Sequence, residues 1–453
     1  MLSRVSQLVA LSFLALIAAG TLLLLVPAAA ARPRPLTPVE ALFTATSAVC
    51  VTGLIVVDTG HDLSPFGQAV VLALIQCGGL GLMTFGSFLL VSLRGREDLR
   101  TRIYVEQVHG ALPHLAPATL LRRILLFTAA AEGLGALVLW VRLGFREGSW
   151  GIHTAWEAVF HAVSAFCNAG FSLWTDSLVG LRGDLVANLV VMALIVAGGL
   201  GFLVLADLQA LLAAPRARRR LWRLSLHTKL VLVTSGILLV AGAVAFLLLE
   251  WGNTLRDASP LARLLDPLFF AVTCRTAGFN TVPTEMLTGP TLIVAILLMA
   301  IGASPGSTGG GMKTTTAAVL FAGAWSRMRG RPRVEAFGRS LPVDVVSKAI
   351  ATVAAFVVLV LLGGFALQVT EIGLVPHQLA SAHFIDHLFE IVSALGTVGL
   401  STGITAGLSS AGKLVLVVLM FVGRLGPLAI GSSLIGQRRA LPYRYPEERI
   451  LVG

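Results

Sequence analysis

The chain has 453 residues, of which 56% are hydrophobic and only 13% are charged, and its mean hydropathy is +0.86. Soluble domains carry about a quarter of charged residues, so the composition excludes an ordinary soluble enzyme or binding domain. The formal net charge is +11, but its basic clusters lie between apolar runs, as topology signals of membrane proteins do. We therefore expect a lipid bilayer, and no nucleic acid, around this chain.

Eight apolar runs follow one another along the chain, and many approach the about 20 residues that cross a bilayer. They are Leu8–Ala28, Gln68–Leu93, Ile124–Val141, Val186–Leu212, Leu230–Leu249, Thr291–Ile301, Val345–Val369 and Lys413–Ile435. The first run resembles a signal peptide, but its apolar core is longer and it matches the start of later units. We expect a retained span, and an all-α polytopic membrane protein with eight transmembrane helices.

Arginine-rich connections follow every second run. They are Arg94–Arg102, Pro215–Arg223, Arg327–Arg333 and Gln437–Arg439. The positive-inside bias places these connections and both termini in the cytoplasm. The alternate connections carry acids such as Asp58, Asp176 and Glu285, which would concentrate cations at the outer face or are simply solvated loop charges.

A glycine-containing motif recurs four times between the runs. The copies are FTATSAVCVTGL (Phe43–Leu54), FHAVSAFCNAGF (Phe160–Phe171), LFFAVTCRTAGF (Leu268–Phe279) and FEIVSALGTVGL (Phe389–Leu400). They align on Gly53, Gly170, Gly278 and Gly399. A serine stands six residues before the glycine in the first, second and fourth copies, and Val272 breaks this pattern in the third.

A second signature follows each copy of the first. It reads GGLG at Gly78–Gly81 and Gly198–Gly201, GASP at Gly302–Pro305 and GRLG at Gly423–Gly426. Two signatures in register predict four repeats, each a span, a short helix, a glycine-containing loop and a second span. We place the repeats at residues 1–93, 94–214, 215–333 and 334–436, followed by a cytoplasmic tail at 437–453.

The short helices carry recognisable start signals. Thr37 to Glu40 and Thr154 to Glu157 read as capping boxes, Ser259-Pro260 opens the third helix, and Asp386 lies in the fourth at the register of Glu40. Helices entering from outside point their partially negative C-terminal ends at the membrane centre, where four such ends would favour a cation.

Each glycine-containing loop is a candidate ion filter. Non-helical backbone at membrane depth must be buried in protein or line a water-filled path, and glycine lets carbonyl groups face one axis. The predicted potassium-binding residues are Val51, Thr52, Gly53, Asn168, Ala169, Gly170, Thr276, Ala277, Gly278, Thr397, Val398 and Gly399. Four helix breaks used only for packing remain the alternative.

These motifs resemble the Trk/Ktr/HKT superfamily of cation transporters over essentially the whole chain. The matches are SAVCVTGL, TCRTAGFNT, SALGTVGLSTG, GASPGSTGGGMKTTT and GRLGPL. Because no extra pair of spans precedes the first unit, the chain is more similar to the KtrB branch than to the TrkH branch. Gly53 matches potassium-selective members, whereas sodium-permeable relatives often carry serine there. Cys50, Ala271, Cys274 and Pro305 depart from the usual pattern.

The resemblance implies four span–pore-helix–span units around one pseudo-fourfold pore. It also implies a homodimer with one pore per protomer, standing on a cytosolic nucleotide-binding ring of the KtrA or TrkA type in a cell inner membrane. K⁺ is then the transported ion, with Na⁺ as a second candidate, and nucleotide binds only to the partner ring.

The sixth run is interrupted by a segment too rich in glycine and proline for a helix. In the superfamily this segment is the gating loop beneath the filter. The candidate gate residues are Gly302, Ser304, Gly306, Ser307, Thr308, Gly309, Gly310, Gly311 and Lys313. A phosphate-binding loop is the alternative, but the segment lacks the spacing GxxxxGK[ST].

Three basic residues lie within or beside the apolar runs. A charge such as Arg424 usually faces a cavity, and the resemblance implies an electrostatic barrier near the gate; a salt bridge to Glu132 or Glu390 is the alternative. Lys313 either sets the position of the gate or snorkels to the cytoplasm. Arg275 is expected to brace the filter from behind.

The predicted function is potassium uptake through the channel-like, pore-forming subunit of a gated system. A Na⁺- or Na⁺/K⁺-coupled secondary transporter is the alternative, although such proteins commonly have inverted repeats and these repeats are parallel. A non-transporting scaffold is a further alternative. The sequence offers no plausible nucleophile–base set for an enzyme, and the spacing of its four cysteines predicts no disulfide and no metal site.

Overall fold

The computed structural model describes residues 2–31, 34–81, 117–213, 224–373, 376 and 383–426. These residues form fourteen α-helices and one short β-hairpin. The helices are α1 (Leu2–Leu25), α2 (Pro38–Val49), α3 (Pro65–Leu80), α4 (Pro117–Glu147), α5 (Ile152–Cys167), α6 (Leu185–Leu200), α7 (Phe202–Ala213), α8 (Leu226–Glu250), α9 (Pro260–Thr273), α10 (Gly289–Ala300), α11 (Thr314–Met328), α12 (Val343–Glu371), α13 (Phe384–Gly396) and α14 (Ser410–Leu425). Strands β1 (Glu335–Ala336) and β2 (Arg339–Ser340) pair antiparallel.

Four helices are long and apolar enough to cross a membrane, namely α1, α4, α8 and α12. The pair α6 and α7 counts as a fifth span if it is taken as one broken helix, and α3 and α10 are shorter apolar helices. Apolar side chains such as Leu22, Leu134, Val240 and Leu361 cover the outside of the long helices. The described part of the chain therefore has the architecture of a multi-pass membrane protein.

The predicted span over Val186–Leu212 is not one straight helix. The chain bends by 104° between α6 and α7, at Gly201, whose φ is +83°. A Cβ atom on Gly201 would lie 2.5 Å from the carbonyl oxygen of Pro305, and the N–H of Phe202 donates to the carbonyl of Gly306 at 3.0 Å. The helix breaks because another segment of the chain occupies the space ahead of it.

Several sequence predictions lie outside the described residues. They concern residues 82–93 of the second apolar run, residues 427–435 of the last run, and the arginine-rich connections other than Arg327–Arg333. The described connection Arg327–Arg333 is exposed after α11.

The short helices α2, α5, α9 and α13 lie inside, and each packs on the long helix that precedes it. Contacts between units also follow one rule, since the apolar helix after each short helix packs on the short helix of the next unit. The pairs are α3 with α5, α6 with α9, α10 with α13, and α14 with α2. The last pair returns to the first unit, so the packing closes into a cycle.

The start signals hold for two of the short helices. Thr37 and Glu40 form a reciprocal capping box, with N–H···O distances of 3.3 and 2.8 Å, and Ser259 caps α9 by accepting from the N–H of Ala262. The second predicted box is wrong, because α5 begins at Ile152 with Gly151 as its N-cap. The carboxylate of Glu157 instead accepts from the indole N–H of Trp174 at 3.1 Å, a tertiary contact.

In the third unit the buried phenylalanine of the short helix lies nine residues before the filter glycine, whereas it lies ten residues before it in the other units. Phe269 is 1% exposed and Leu268 is 41% exposed, so Phe269, and not Leu268, is the structural counterpart of the buried Phe43. The same shift by one makes Thr273 the counterpart of Ser47. The sequence also shows this shift by one residue, because FFAVT in the third unit matches FHAVS in the second once a gap is placed before the filter glycine.

Candidate ion pathway

The four predicted filter segments lie against one another in a ring. Each filter glycine packs on the carbonyl oxygen of the residue that precedes the next unit's glycine. The distances below join a Cβ atom built on each glycine to the neighbouring carbonyl oxygen. They are 2.5 Å from Gly53 to Ala169, 2.8 Å from Gly170 to Ala277, 2.6 Å from Gly278 to Val398 and 2.1 Å from Gly399 to Thr52. The last contact returns to the first unit, so the segments gather about one centre and leave no room for a side chain at any of the four glycines.

The four segments share one backbone conformation. The glycines have φ values of +93°, +72°, +81° and +93° in chain order. The residues two positions before them are also left-handed, with φ of 55° at Val51, 59° at Asn168, 69° at Thr276 and 49° at Thr397. A left-handed conformation costs a non-glycine residue about 1–3 kcal/mol. The surrounding structure holds one such residue in each of the four units. Retained backbone strain of this kind is typical of functional sites.

A buried hydroxyl group holds each segment from behind. Ser47 and Ser393 accept hydrogen bonds from the N–H groups of Gly53 and Gly399, each at 3.1 Å. In the other two units the hydroxyl donates to the carbonyl of the residue after the glycine: Ser164 to Phe171 at 2.8 Å and Thr273 to Phe279 at 2.5 Å. Sequence reasoning missed Thr273 because it searched the position of Val272.

The second signature explains how the helices approach the ring so closely. A Cβ atom on Gly78, Gly198 or Gly423 would lie 1.9–2.0 Å from a carbonyl oxygen at the end of a short helix. The three carbonyls belong to Val49, Phe166 and Leu395, each four residues before a filter glycine. The constant spacing between the two signatures therefore reflects direct backbone contact within each unit.

A cavity of about 330 Å³ opens on one side of the ring. All four filter glycines reach it, and its wall includes the carboxylates of Asp58, Asp176 and Glu285. No lysine or arginine of the described chain lines it. A cavity walled by charges of one sign raises the local concentration of the opposite ion, so this vestibule favours cations.

The opposite side of the ring is covered by the glycine-rich segment between α10 and α11, which is non-helical as predicted. A Cβ atom on Gly309 would lie 2.1 Å from Oγ1 of Thr276, and one on Gly310 would lie 2.2 Å from Oγ1 of Thr397. The loop therefore presses on the filter segments of the third and fourth units.

The same loop is anchored to the second unit. The N–H groups of Ser304 and Thr308 donate to the carbonyls of Gly199 and Gly198 at 3.1 and 3.2 Å, and the hydroxyl of Thr308 donates to the carbonyl of Phe166 at 3.2 Å. Within the loop, Ser307 donates to the carbonyl of Ser304 at 2.6 Å. The backbone turns at Gly306 and Gly311, whose φ values are positive, and Gly302 donates to Met312 at 2.8 Å.

Arg424 joins this loop to the first unit. Its side chain is 4% exposed and donates to the carbonyls of Thr308 and Gly78, the latter at 2.6 Å. The predicted alternative of a salt bridge is wrong, because Glu132 accepts from Gln76 and Glu390 accepts from Ser401 and Thr405. The guanidinium charge is thus held beside the loop by neutral carbonyl groups.

Lys313 lies at the end of the loop and turns back onto it. Its Nζ donates to the carbonyl oxygen of Gly309 at 2.8 Å and to that of Gly310 at 3.5 Å. Since the ammonium group is satisfied by the loop backbone, the alternative of snorkelling to the cytoplasm is wrong. Two positive charges therefore flank the loop, on the side of the ring opposite the acidic vestibule.

Two other candidate support residues differ in their contacts. Nδ1 of His161 donates to the carbonyl of Glu157 at 2.7 Å, and its Nε2 accepts from the hydroxyl of Ser172 at 2.9 Å and from the N–H of Leu173 at 3.3 Å, so His161 supports the segment that follows Gly170. Arg275 makes no hydrogen bond to a filter segment within the described residues, and the bracing contact expected from the sequence is not present there.

The chain belongs to the TrkH family of cation transport proteins, whose profile matches residues 2–437. This confirms the superfamily resemblance that the filter motifs predicted.

Several characterised relatives align over nearly their whole length. The chain is 38% identical to the Ktr system potassium uptake protein B of Bacillus subtilis, covering 99% of this chain and 96% of that protein. It is 35% identical to the protein of the same name from Vibrio alginolyticus, covering 99% and 94%. It is 36% identical to the potassium/sodium uptake protein NtpJ of Enterococcus hirae, covering 99% and 97%.

The fold is similar to that of the potassium transporter TrkH from Vibrio parahaemolyticus. The two structures superpose with a TM-score of 0.71 over 94% of this chain and 83% of that one, at 19% sequence identity. At this identity the similarity establishes the fold alone.

Proposed function

We propose that this chain is the channel-like, pore-forming membrane subunit of a potassium uptake system. The observation that carries the proposal is the closed ring of four glycine-hinged segments supplied by a single chain. Rings of backbone carbonyls replace the hydration shell of K⁺ in selectivity filters. The names of two full-length relatives, Ktr system potassium uptake protein B, support potassium as the ion.

In this proposal the chain comprises four span–pore-helix–span units around a pseudo-fourfold axis, with eight spans and the unit boundaries given above. The cyclic order of helix packing supports the arrangement. The twelve filter residues from Val51–Gly53, Asn168–Gly170, Thr276–Gly278 and Thr397–Gly399 supply the ion ligands, most of them through backbone carbonyls.

The glycine-rich loop is the proposed gate. It lies against Thr276 and Thr397, so an ion leaving the filter must pass it. Arg424 and Lys313 hold the loop through its carbonyls, and their charges form a barrier to a cation until the loop moves. A coupled secondary transporter is not favoured by any of these contacts.

The proposed ion is K⁺, with Na⁺ as a second ion that one relative's name includes. The partners we propose are a second copy of this chain and a cytosolic ring of the KtrA or TrkA type, which alone binds nucleotide. The word "system" in the relatives' names indicates further subunits in those proteins. The positive-inside bias of the arginine-rich connections favours cytoplasmic termini, which would put the acidic vestibule outside, and the family resemblance implies a cell inner membrane.

Uptake of rubidium into proteoliposomes that contain the purified chain tests the function. We expect uptake that excess external K⁺ suppresses and that the same concentration of Na⁺ suppresses far less, because the filter carbonyls replace the hydration of the larger ion. Uptake that requires a Na⁺ or proton gradient would overturn the channel proposal. The control variant for substitutions of the filter glycines is Gly133→Ala, at a position on α4 where an added Cβ meets no atom.

A further inference from the structure

A second cavity, of about 210 Å³, lies between α6 and α8 behind the filter segment of the third unit. Its wall is largely apolar, with Ile195, Val196 and Leu200 on one side and Leu232 and Leu239 on the other. It shares no lining residue with the vestibule. The ion pathway proposed above does not use it.

Two polar side chains line this cavity without a partner. The guanidinium group of Arg275 makes no hydrogen bond or ion pair with any described residue, and its Nε is buried. The hydroxyl of Ser235 is also buried without a partner, in a residue that is 4% exposed. A charge among apolar groups is costly unless it is paired, so the cavity is built for a ligand that carries negative charge.

The position of the cavity indicates where such a ligand comes from. Ser235 lies six residues after Lys229 on α8, which is about 9 Å at a rise of 1.5 Å per residue. α8 begins immediately after the basic segment Pro215–Arg223, so this end of the helix faces the cytoplasmic leaflet in the proposed topology. Because Arg275 lines the same cavity as Ser235, the cavity lies toward the cytoplasmic half of α8, where a long arginine side chain extends toward the acidic groups of that leaflet.

We propose that this cavity binds an anionic phospholipid of the cytoplasmic leaflet. Its phosphate accepts hydrogen bonds from Arg275 and Ser235, and the start of one acyl chain lies along Leu232, Leu239 and Val196. Apolar walls with one cation fit an amphiphile that has an acidic head and an apolar tail. Water or a lipid without a phosphate would leave the charge of Arg275 unpaired, and a zwitterionic phospholipid would bring the positive charge of its own headgroup close to Arg275.

Binding has a consequence for conduction, and this step rests on the proposed function. Arg275 immediately precedes Thr276, a predicted filter residue. A bare guanidinium so close to the filter repels K⁺, and a bound phosphate cancels much of that repulsion. Anionic lipid bound in this cavity therefore promotes ion occupancy of the filter.

The binding is tested by native mass spectrometry of the purified chain mixed with equal amounts of phosphatidylglycerol and phosphatidylcholine. We expect the wild-type chain to retain phosphatidylglycerol selectively. Arg275→Gln removes the charge, and Gly236→Leu fills the cavity, since Gly236 lines it and a Cβ there meets no atom. Each variant should lower retention about fivefold or more, Arg275→Gln because a charge-assisted contact is lost and Gly236→Leu because the lipid no longer fits.

Gly133→Leu is the matched control, because Gly133 also faces open space but lies on α4, away from this cavity. Equal retention by the wild-type chain, Arg275→Gln and Gly236→Leu would overturn the proposal. Retention of a co-purified fatty acid in place of phospholipid, or of no amphiphile at all, would overturn it as well.

The functional consequence is tested by rubidium uptake in vesicles of phosphatidylcholine with and without phosphatidylglycerol. We expect the wild-type chain and Gly133→Leu to respond to phosphatidylglycerol and Arg275→Gln to respond little. An equal response by Arg275→Gln would contradict the link to the filter. Selective lipid retention without rubidium uptake in any vesicle would instead contradict the proposed transport function and leave the binding site supported.

Discussion

The two sides of the filter ring are built in different ways. On the vestibule side, all four units contribute equivalent backbone around an open cavity with Asp58, Asp176 and Glu285 in its wall. On the other side, one segment of one unit fills the space, and Arg424 and Lys313 bind its carbonyls. In the proposed function, the repeat symmetry is kept where ions are attracted and selected, and it is broken at the proposed gate.

The largest effect is expected at the ring itself, which both sides share. In Gly399→Ala the new Cβ would lie 2.1 Å from the carbonyl oxygen of Thr52, at a φ of +93°. If strain of about 1–3 kcal/mol is lost from ion binding, rubidium uptake should fall by roughly fivefold to a hundredfold. Gly170→Ala, with its nearest oxygen at 2.8 Å, should lose less. Equal uptake by Gly399→Ala and Gly133→Ala would show that the ring is not the ion path.

Arg424→Ala tests whether the charge on the loop side opposes conduction. A unit charge roughly 10 Å from a cation contributes about 1–2 kcal/mol of repulsion at an effective dielectric constant near 20, so we expect roughly tenfold higher uptake. The carbonyls of Thr308 and Gly78 lose their donor, which should lower the free energy of unfolding by about 1–3 kcal/mol. Unchanged uptake in a destabilised protein would reduce Arg424 to a structural role.

Gly310→Ala tests whether the loop itself is the obstacle. Gly310 has no positive φ, so alanine fits its backbone, but the Cβ would lie 2.2 Å from Oγ1 of Thr397 and push the loop off the filter. Basal uptake should rise about fivefold, equivalent to roughly 1 kcal/mol. Gly323→Ala in α11 is the control, since its nearest contact is 3.8 Å. Lower uptake would contradict the assignment of a gate.

The smallest effect is expected on the vestibule side. Neutralising two acids by Asp176→Asn and Glu285→Gln weakens the attraction of cations and should lower uptake about twofold at low ionic strength, with little effect at high salt. Asp344→Asn is the control. Asp344 forms an exposed ion pair with Lys348 on α12 and does not line the vestibule. An equal loss at all salt concentrations would indicate a structural role for the two acids.

Local chemistry made several elements of this protein predictable from its residues alone. Recurrent glycines, apolar runs and the interrupted sixth run predicted the four filter segments, the spans and the loop, because glycine and proline act on the backbone wherever they stand. The twelve predicted filter residues belong to the four segments that meet in the ring.

Other features depend on contacts between distant units and became visible in the folded chain. The bend at Gly201 exists because the loop after α10 meets it, and Thr273 replaces Val272 because the third unit spans the same distance with one residue fewer. Arg424 bonds carbonyls of the first and third units in preference to any acid. A side chain's partner is fixed by packing, and packing joins residues hundreds of positions apart that no local pattern connects.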